Sequence, residues 1–211
     1  MVNFPTIIFP DLSLFDGIIF DCDGTLVDTM PLFYLAWRYS LERYGSKYDF
    51  KWKFFCDHGG QSTDVTLDEI CRLTGERIDF LTLKQYQAEF IAPRLSEVQP
   101  ITPVVQLAEQ YHRMKKPMAV ASAGYREYVH ETLKSIGVEA YFPVVVTCED
   151  VRYTKPEPDL FLLAAEKLGA KPRRCFVLED SPYGIQAASA AGMASYLLPE
   201  FPRAEPSLDE C

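Results

Sequence analysis

The feature that most constrains the fold is a regular alternation of short apolar runs and amphipathic segments between Pro100 and Leu198. The apolar runs predict strands at residues 118–121, 144–146, 175–178 and 195–198. The segments between them predict helices at residues 103–115, 126–136, 158–168 and 182–191. Strands that alternate with helices form parallel sheets covered on both faces. We therefore expect a doubly wound, Rossmann-like α/β sheet core.

One more strand precedes this alternation, and a helical block follows that strand. Ile18, Ile19 and Phe20 form an apolar run, whereas residues 29–97 show helical patterns without a convincing strand. The sequence therefore predicts an α-helical cap domain, residues 29–97, inserted into a core formed by residues 1–28 and 98–211. Because the insertion follows the first strand directly, we expect the cap to lie over the end of that strand.

Three helices are predicted within the inserted block. Thr29 can cap the first helix through its side chain, and Gly45 ends it. The second helix carries apolar residues at helical spacing. Thr82 and Gln85 resemble a capping box at the start of the third helix. The aromatic segment at residues 48–55, between the first two helices, is not assigned to a helix.

Composition excludes several classes of protein. The chain has 211 residues, is 48% hydrophobic and has a net charge of -9 without a Lys/Arg stripe, which is typical of a compact protein with no nucleic-acid surface. Residues 1–5 lack the basic region of a signal peptide, and no segment is long enough to span a bilayer. The six cysteines form no CxxC pair, which favours reduced thiols over disulfides or a zinc site.

These properties favour a cytoplasmic enzyme with no membrane or nucleic-acid partner. We expect a monomer or weak dimer. Residues 199–211, which are rich in Pro and Glu, are expected to be loosely ordered.

The first strand ends in two carboxylates, Asp21 and Asp23, followed by Gly24. Ligands of α/β proteins gather at the carboxyl ends of the strands, and burying two acids there needs a reason. One carboxylate can stay ionised as a nucleophile or metal ligand while its neighbour keeps a proton to donate. Gly24 permits a turn whose amides approach an anion closely. The alternative is an ordinary acidic turn after a strand.

Later strand ends bring further polar residues to the same edge. Ser122 and Ala123 offer a hydroxyl and a backbone amide at the start of a helix, where an anion can bind. Lys155 follows the next strand, and Glu179 and Asp180 end the one after it. Each has an ordinary alternative, respectively a helix cap, a surface lysine and a strand-terminal turn. Their common placement at strand ends predicts a phosphate site.

The charges at this edge predict a bound cation. Asp21, Asp23, Glu179 and Asp180 together carry four negative charges against the single positive charge of Lys155. A divalent cation offsets such repulsion, and an all-oxygen ligand set favours Mg²⁺ over zinc. Protonation of Asp23 reduces the repulsion further and leaves an acid ready to donate.

In their order along nearly the whole chain, these residues resemble the four motifs of the haloacid dehalogenase-like hydrolase superfamily. The first motif resembles residues 21–25, the second Ser122, the third Lys155, and the fourth Glu179-Asp180. Three segments also resemble one branch of the superfamily, which contains β-phosphoglucomutase and small sugar-phosphate phosphatases. These segments are residues 23–29, 155–159 and 178–185.

The resemblance implies a role for each acid. Asp21 is the implied nucleophile, which forms an aspartyl-phosphate, and Asp23 is the implied proton donor to the leaving alcohol and the base for the second step. Mg²⁺ would be held by the Asp21 carboxylate, the Asp23 backbone carbonyl and Asp180, with Glu179 either a direct ligand or one shell further out.

The resemblance also implies how the substrate is held. The implied phosphate-binding residues are Gly24, Thr25, Ser122, Ala123 and Lys155. The helical insertion would close over the substrate and exclude water during the first step. His58 and Gln61 flank a Gly59-Gly60 turn that resembles the family's specificity loop, so they are candidates for contacts with sugar hydroxyls. A solvated polar loop is the alternative.

Hydrolysis and phosphosugar mutation differ in how well water is kept from the phosphoenzyme. The histidine and arginine that β-phosphoglucomutases carry in the cap correspond here to Phe33 and roughly Thr63. We therefore expect a Mg²⁺-dependent phosphatase that hydrolyses a small phosphorylated metabolite, a sugar phosphate, with a mutase as the alternative. An inactive phosphometabolite-binding module is disfavoured, since every motif residue is present.

Two further chemistries of the superfamily are also disfavoured. Dehalogenation does not use the acid that Asp23 provides. Phosphonate hydrolysis needs a cap lysine for a Schiff base, and no candidate is suitably placed beyond Lys47, Lys51, Lys53 and Lys84. Trp37 and Trp52 either stack on a sugar or pack the cap.

Overall fold

The computed structural model describes residues 6–59, 61–199, 201 and 206 and contains the expected parallel sheet. The strands of the described residues are, in chain order, β1 (Gly17–Phe20), β2 (Val27–Asp28), β3 (Gln99–Pro100), β4 (Met118–Ala121), β5 (Val144–Val146), β6 (Cys175–Glu179) and β7 (Ala194–Leu197). Five of these form one sheet in the order β5-β4-β1-β6-β7, and every neighbouring pair is parallel. The predicted doubly wound α/β core is confirmed.

The helices of the same residues divide into an inserted group and a crossover group. They are α1 (Met30–Tyr44), α2 (Trp52–Asp57), α3 (Thr63–Thr74), α4 (Phe80–Ile91), α5 (Thr102–Arg113), α6 (Arg126–Ser135), α7 (Asp159–Lys167) and α8 (Pro182–Ala190). The first four follow β2 and lead into a 3₁₀ segment at Ala92–Glu97, while the last four connect the strands of the sheet.

Apolar residues cover both faces of the sheet, and β1 contributes to each. Ile18 and Phe20 pack into a cluster with residues of α5 and α6, whereas Ile19 packs with residues of α7 and α8. Successive side chains of a strand point to opposite faces, so three consecutive apolar residues serve two cores. This double burial holds β1 at the centre of the sheet and fixes the position of the acids that follow it.

Helices α1 to α4 enclose a third cluster that is rich in aromatic rings. Trp37 stacks on Phe50 with ring centroids 5.3 Å apart, and Trp52 meets Tyr34 edge-on at 5.0 Å. Such ring pairs add to the burial of large apolar surfaces. Of the two uses considered for the tryptophans, the structure shows packing within the inserted helices.

A short antiparallel ribbon, which the sequence did not predict, lies where the chain enters and leaves the helical insertion. Val27 of β2 pairs with Pro100 of β3, and Asp28 pairs with Gln99. Strands of two residues carry no detectable alternation of apolar and polar side chains. The domain bounds at residues 28/29 and 97/98 stay a prediction.

Three local features of the insertion differ from the expectation. Thr29 occupies the N-cap position of α1, as predicted, but its side chain forms no capping hydrogen bond, because its hydroxyl donates to Asp23 at 2.9 Å. The capping box of Thr82 and Gln85 is absent, because α4 starts three residues earlier. The Asp79 carboxylate caps it by accepting hydrogen bonds from the amide and hydroxyl of Thr82 at 2.8 and 2.7 Å. The unassigned aromatic segment partly folds as α2.

Other predictions agree with the structure or lie outside it. Gly45 ends α1 in the left-handed conformation, at φ +88°. In the described ranges, free thiols are found at Cys22, Cys71, Cys148 and Cys175. No helix in those ranges is long and apolar enough to cross a membrane. The predictions on residues 1–5, on Gly60 and on most of the tail from residue 199 onward fall outside the described residues.

Candidate active site

The carboxyl ends of neighbouring strands bring the predicted acids together. β1 lies between β4 and β6, so Asp21 is beside the residues that end both strands. Carboxylate oxygens of Asp21, Glu179 and Asp180 lie within 4.8 Å of one another. Asp21 and Glu179 are almost fully buried, with 5% and 1% of their surface exposed. The strand order therefore creates a compact, buried acidic cluster.

Lys155 is the cation of this cluster and is not a surface lysine. Its ammonium donates to Asp21 Oδ1 and, at 2.5 Å, to Glu179 Oε1. Burial by itself lowers the pKa of Lys155, but the negative charges of Asp21 and Glu179 outweigh it and raise the pKa above the ordinary value. Lys155 is therefore charged and held rigidly between two acids.

Both carboxylate oxygens of Glu179 are engaged by protein groups. Oε1 accepts from Lys155, while Oε2 accepts from the amide and hydroxyl of Ser181 at 2.7 and 2.9 Å. The side chain also lies against Gly184, where an added Cβ would overlap the carboxylate. Ser181 caps α8 by accepting the Gly184 amide at 3.0 Å. This arrangement fixes the orientation of Glu179 and, through it, of Lys155.

Asp180 lies against the Gly24-Thr25 turn that follows Asp23. Its Oδ1 accepts from the Thr25 hydroxyl at 3.4 Å, and Gly24 sits against its carboxylate at φ +83°. A Cβ on residue 24 would overlap that carboxylate, so the approach requires glycine. Burial, with the charges of Glu179 and Asp21, raises the pKa of Asp180 well above its ordinary value.

The cluster has the properties of a divalent cation site. Burial raises the pKa of Asp21 to about 7, opposed by Lys155 and reinforced by the charges of Glu179 and Asp23. Three carboxylates share one lysine, and their ionised forms are disfavoured without further positive charge. The donors are all oxygen atoms, which hard cations such as Mg²⁺ prefer. The residues present therefore fit a bound Mg²⁺.

Asp23 has two hydroxyl donors on one oxygen. Its Oδ1 accepts from Thr29 at 2.9 Å and from Tyr128 of α6 at 2.6 Å. Burial raises the pKa of Asp23, and these hydrogen bonds oppose the rise. The ring of Tyr128 contacts Phe33 of α1, with centroids 5.6 Å apart. Tyr128 was not predicted as a site residue, because the apolar spacing of α6 predicts a helix but does not indicate which of its residues reaches Asp23.

Ser122 lies at the same sheet edge, at the end of β4. It is 1% exposed, its amide donates to Val146 at 3.0 Å, and its hydroxyl accepts the Gly124 amide at 3.0 Å. Burial raises the pKa of Asp23, and the nearby Ser122 side chain is among the groups that oppose this rise. Ala123 follows in the turn before α6. The predicted anion cradle is thus adjacent to Asp23.

The two candidate residues of the insertion occupy different surroundings. Gln61 Nε2 donates to the hydroxyl of Tyr183 in α8 at 2.5 Å, which links the segment before α3 to the sheet-edge helix. Its Oε1 is buried without a partner among the described residues. His58 instead stacks on Phe54 at 4.0 Å, and its Nδ1 lies 2.8 Å from the Phe54 carbonyl oxygen. Only Gln61 of this pair forms a described bond to the helix that follows the acids.

The lysines considered for a Schiff base have other contacts. Lys51 pairs with Asp49 and Lys53 with Asp57, all with exposed side chains. The ammonium of Lys84 lies 3.5 Å from the ring centroid of Tyr125. Among the described lysines, Lys155 is the one that donates to the acidic cluster.

The fold and the site define a doubly wound α/β protein with a buried acidic cluster, which could hold a cation, at the carboxyl edge of its sheet. Residues 18–198 match the family described as haloacid dehalogenase-like hydrolase. The chain belongs to this family and is accordingly an enzyme, a hydrolase.

Characterised relatives extend over most of the chain. It is 36% identical to fructose-1-phosphate phosphatase YqaB of Escherichia coli strain K12, over 84% of this chain and 93% of that protein. It is 32% identical to hexitol phosphatase A of the same organism, over 83% and 79% of the two chains. The structure is similar to that of a putative β-phosphoglucomutase from Thermotoga maritima, with a TM-score of 0.67, 28% identity and coverage of 90% and 88%.

Proposed function

We propose that this enzyme is a Mg²⁺-dependent phosphatase that hydrolyses a small phosphorylated metabolite, a sugar phosphate, through an aspartyl-phosphate. The observation that carries the proposal is the buried Asp21–Lys155–Glu179 ion-pair network beside Asp23 and Asp180. The relatives named as a fructose-1-phosphate phosphatase and a hexitol phosphatase support the substrate class.

In the first step, a carboxylate oxygen of Asp21 forms a bond to phosphorus, and the bond between phosphorus and the ester oxygen breaks. Asp23 gives its proton to the departing alcohol oxygen. In the second step, Asp23 takes a proton from water, whose oxygen bonds to phosphorus and releases phosphate and the Asp21 carboxylate. The raised pKa of Asp23, caused by burial, favours the protonated form that the first step needs.

The transferring phosphoryl group is held by groups that surround Asp21. Lys155, the Ser122 hydroxyl and the Ala123 amide would bind its oxygens, with the Gly24-Thr25 turn alongside. The buried position of Lys155 supports this role, because a desolvated charge interacts more strongly with an anion than an exposed one.

Mg²⁺ would be held by the carboxylates of Asp21 and Asp180 and by the backbone carbonyl of Asp23. When bound, it supplies positive charge that offsets the repulsion between the acids and the phosphate. Glu179 was predicted as a direct or indirect ligand. Because Lys155 and Ser181 already occupy its two oxygens, we propose that Glu179 acts one shell out by positioning Lys155.

The inserted helices are proposed to act as a cap, residues 29–97, on a core formed by residues 1–28 and 98–211. The link from Gln61 to Tyr183 supports closure of this cap over the sheet edge. We propose that Gln61, and His58 after a local rearrangement, contact hydroxyls of the sugar. A reducing, cytoplasmic location is supported by the free thiols of Cys22, Cys71, Cys148 and Cys175.

A β-phosphoglucomutase-type mutase is the second candidate, favoured by similarity to the putative mutase from Thermotoga maritima. Against it, Phe33 stands at the position where β-phosphoglucomutases carry a histidine. The ring of Phe33 packs on Tyr128. An apolar ring cannot restrain the phosphoenzyme by hydrogen bonding, so we favour hydrolysis.

The test is release of inorganic phosphate from a panel of sugar phosphates with Mg²⁺, with isomerisation of β-glucose 1-phosphate followed in parallel. We expect phosphate release that Asp21→Asn abolishes. Tyr111→Phe is the control variant. It removes a hydroxyl that accepts a hydrogen bond from the amide of Leu12, a residue distant in sequence, and it should fold normally. Retained activity of Asp21→Asn would overturn the nucleophile assignment, and an isomerised product without phosphate release would favour the mutase.

A further inference from the structure

We propose that Tyr128 is a positioning residue for Asp23: together with Thr29 it pins Oδ1, so that Oδ2 carries the proton exchanged with the substrate. This inference rests on the proposed function, because it assigns a task to a residue that assists the proposed proton donor. Tyr128 belongs to none of the sequence motifs described above.

The hydrogen-bond pattern on Asp23 determines where its proton resides. The hydroxyls of Thr29 and Tyr128 both point to Oδ1, at 2.9 and 2.6 Å. An oxygen that accepts two hydroxyl hydrogen bonds has its lone pairs occupied, so a proton on the same carboxyl group is favoured on the other oxygen, Oδ2. Two donors from different elements also prevent the carboxyl group from rotating.

The two donors belong to different parts of the chain. Thr29 directly precedes α1, in the same loop-to-helix segment, whereas Tyr128 stands on α6, which follows β4. The bond from Tyr128 is the shorter of the two. Short hydrogen bonds to carboxylate oxygens are the stronger ones. Tyr128 therefore makes the larger contribution to the orientation of Asp23.

The ring of Tyr128 is itself fixed by packing. Phe33 of α1 lies against it with centroids 5.6 Å apart, and Tyr128 also packs against the buried core cluster that includes residues of α5 and α6. A ring held on two sides presents its hydroxyl in one place. Phe33 therefore contributes to the site through Tyr128, although its own side chain cannot exchange protons.

This role predicts that Tyr128 matters most where the leaving group needs a proton. An alkoxide leaves poorly without protonation, whereas p-nitrophenolate leaves readily without it. General acid catalysis contributes roughly 100- to 10,000-fold, of which misorientation forfeits a part. We expect Tyr128→Phe to slow enzyme phosphorylation by a sugar phosphate about tenfold or more, because its hydroxyl orients Asp23. The substrate concentration that gives half of the maximal phosphorylation rate should stay unchanged, because Tyr128 is assigned no contact with the substrate.

The experiment measures phosphorylation of the enzyme in single turnover, with a sugar phosphate and with p-nitrophenyl phosphate. Single turnover isolates the first step from the later hydrolysis, which both substrates share. For p-nitrophenyl phosphate we expect Tyr128→Phe to slow the step less than about threefold. Asp23→Asn, measured in the same way, gives the full effect of losing the donor.

Matched variants separate positioning from stability. Tyr111→Phe also removes a tyrosine hydroxyl that forms a hydrogen bond, but that bond joins Leu12 away from the site, so the ratio of the two rates should stay at the wild-type value. If Tyr128→Phe does not fold, Thr29→Val removes the other donor at constant size. It should reproduce the selective loss, and Thr29→Ser should restore the rate.

Equal slowing of both substrates by Tyr128→Phe, or no slowing of either, would overturn the positioning role. These outcomes are distinct from failure of the proposed function. If Asp21→Asn keeps full activity, or if Asp23→Asn slows both substrates equally, the assignment of the nucleophile or of the proton donor fails, and the role of Tyr128 fails with it.

Discussion

Lys155 donates a hydrogen bond to Glu179 Oε1 at 2.5 Å, and the two side chains are only 3% and 1% exposed. Removing one partner of such a pair leaves an uncompensated buried charge. Here the effect is larger than for a simple pair, because Lys155 also neutralises Asp21.

We expect Lys155→Met, which keeps the length of the side chain but not its charge, to abolish turnover and lower the free energy of unfolding by about 3–5 kcal/mol. Urea unfolding monitored by circular dichroism measures this. Lys53→Met is the matched control, because Lys53 forms an exposed pair with Asp57 that contributes about 1 kcal/mol or less. Adding Glu179→Gln to Lys155→Met should recover part of the loss. Equal destabilisation by the two lysine variants would contradict the prediction.

A second prediction concerns the close approach of Gly24 to Asp180. Gly24→Ala would strain a backbone at φ +83° and push the Asp180 carboxylate out of place. The left-handed conformation alone costs about 1–2 kcal/mol for alanine. Gly45→Ala introduces the backbone strain alone, since φ is +88° and no atom lies within 4 Å of the added Cβ. In urea unfolding we expect Gly24→Ala to lose more stability than Gly45→Ala, because the clash adds to the strain. Only Gly24→Ala should lose more than about tenfold in kcat/KM, a loss of transition-state stabilisation.

Normal kcat/KM in Gly24→Ala would mean that Asp180 can move without consequence. A large loss in Gly45→Ala would mean that strain, and not displacement of the carboxylate, lowers activity.

The third prediction concerns Mg²⁺ binding without turnover. A ligand that binds only the folded protein at 100 times its Kd adds about 2.7 kcal/mol to the free energy of unfolding. We expect Mg²⁺ to raise the Tm of the wild type by several degrees, as measured by differential scanning fluorimetry. Asp180→Asn should remove most of this shift, because it takes one charge from the cluster of Asp21, Glu179 and Asp180. Asp49→Asn, on an exposed residue, should keep the full shift. An unchanged shift in Asp180→Asn would contradict the ligand assignment.

The acids, Ser122 and Lys155 could be located from the sequence because parallel strands deliver their carboxyl ends to one edge. Each of these residues follows a recognisable apolar run, so the alternation of strands and helices was sufficient to bring them together. No knowledge of side-chain conformation was needed for that step.

The hydrogen bonds that orient these residues could not be predicted in the same way. Tyr128 lies on a helix whose apolar spacing leaves the reach of its hydroxyl open, and Thr29 has the sequence position of a cap but bonds to Asp23. The glycine at position 184 follows a cap residue and looks like part of an ordinary helix. Its contact with Glu179 depends on the direction of α8 relative to the end of β6, which is a property of the tertiary structure.

A fourth prediction concerns stability in acid. Partial burial raises the pKa of Asp150, but hydrogen bonds from Arg126 and Thr147 outweigh it and lower the pKa from 3.8 to about 2. A carboxyl group whose pKa is lower in the folded state stabilises the fold above its unfolded pKa. This stability is lost as the pH falls through the folded pKa, here between about pH 4 and pH 2. The contribution is about 1 kcal/mol or less, because solvent screens the half-exposed Arg126.

We expect Asp150→Asn to lower the free energy of unfolding at neutral pH by about 1 kcal/mol or less and to have little effect below about pH 2, where the wild-type carboxyl group is protonated too. Urea unfolding at a series of pH values measures the difference between the two proteins. Asp49→Asn should follow the wild-type curve at every pH. A difference between Asp150→Asn and the wild type that does not shrink in acid would contradict the pKa assignment.

The last prediction separates two uses of Gln61. Its Nε2 donates to Tyr183 at 2.5 Å, while its Oε1 is buried without a partner among the described residues. Tyr183→Phe removes the link between the two side chains, whereas Gln61→Leu also removes the oxygen that we propose accepts a sugar hydroxyl.

A hydrogen bond contributes about 0.5–1.5 kcal/mol, so Gln61→Leu should raise KM for a sugar phosphate up to about tenfold. Steady-state kinetics should show less than about a threefold change for Tyr183→Phe. Inhibition by inorganic phosphate, which has no sugar hydroxyl, should be unaltered in both variants. Equal increases in KM would mean that Gln61 acts only through Tyr183.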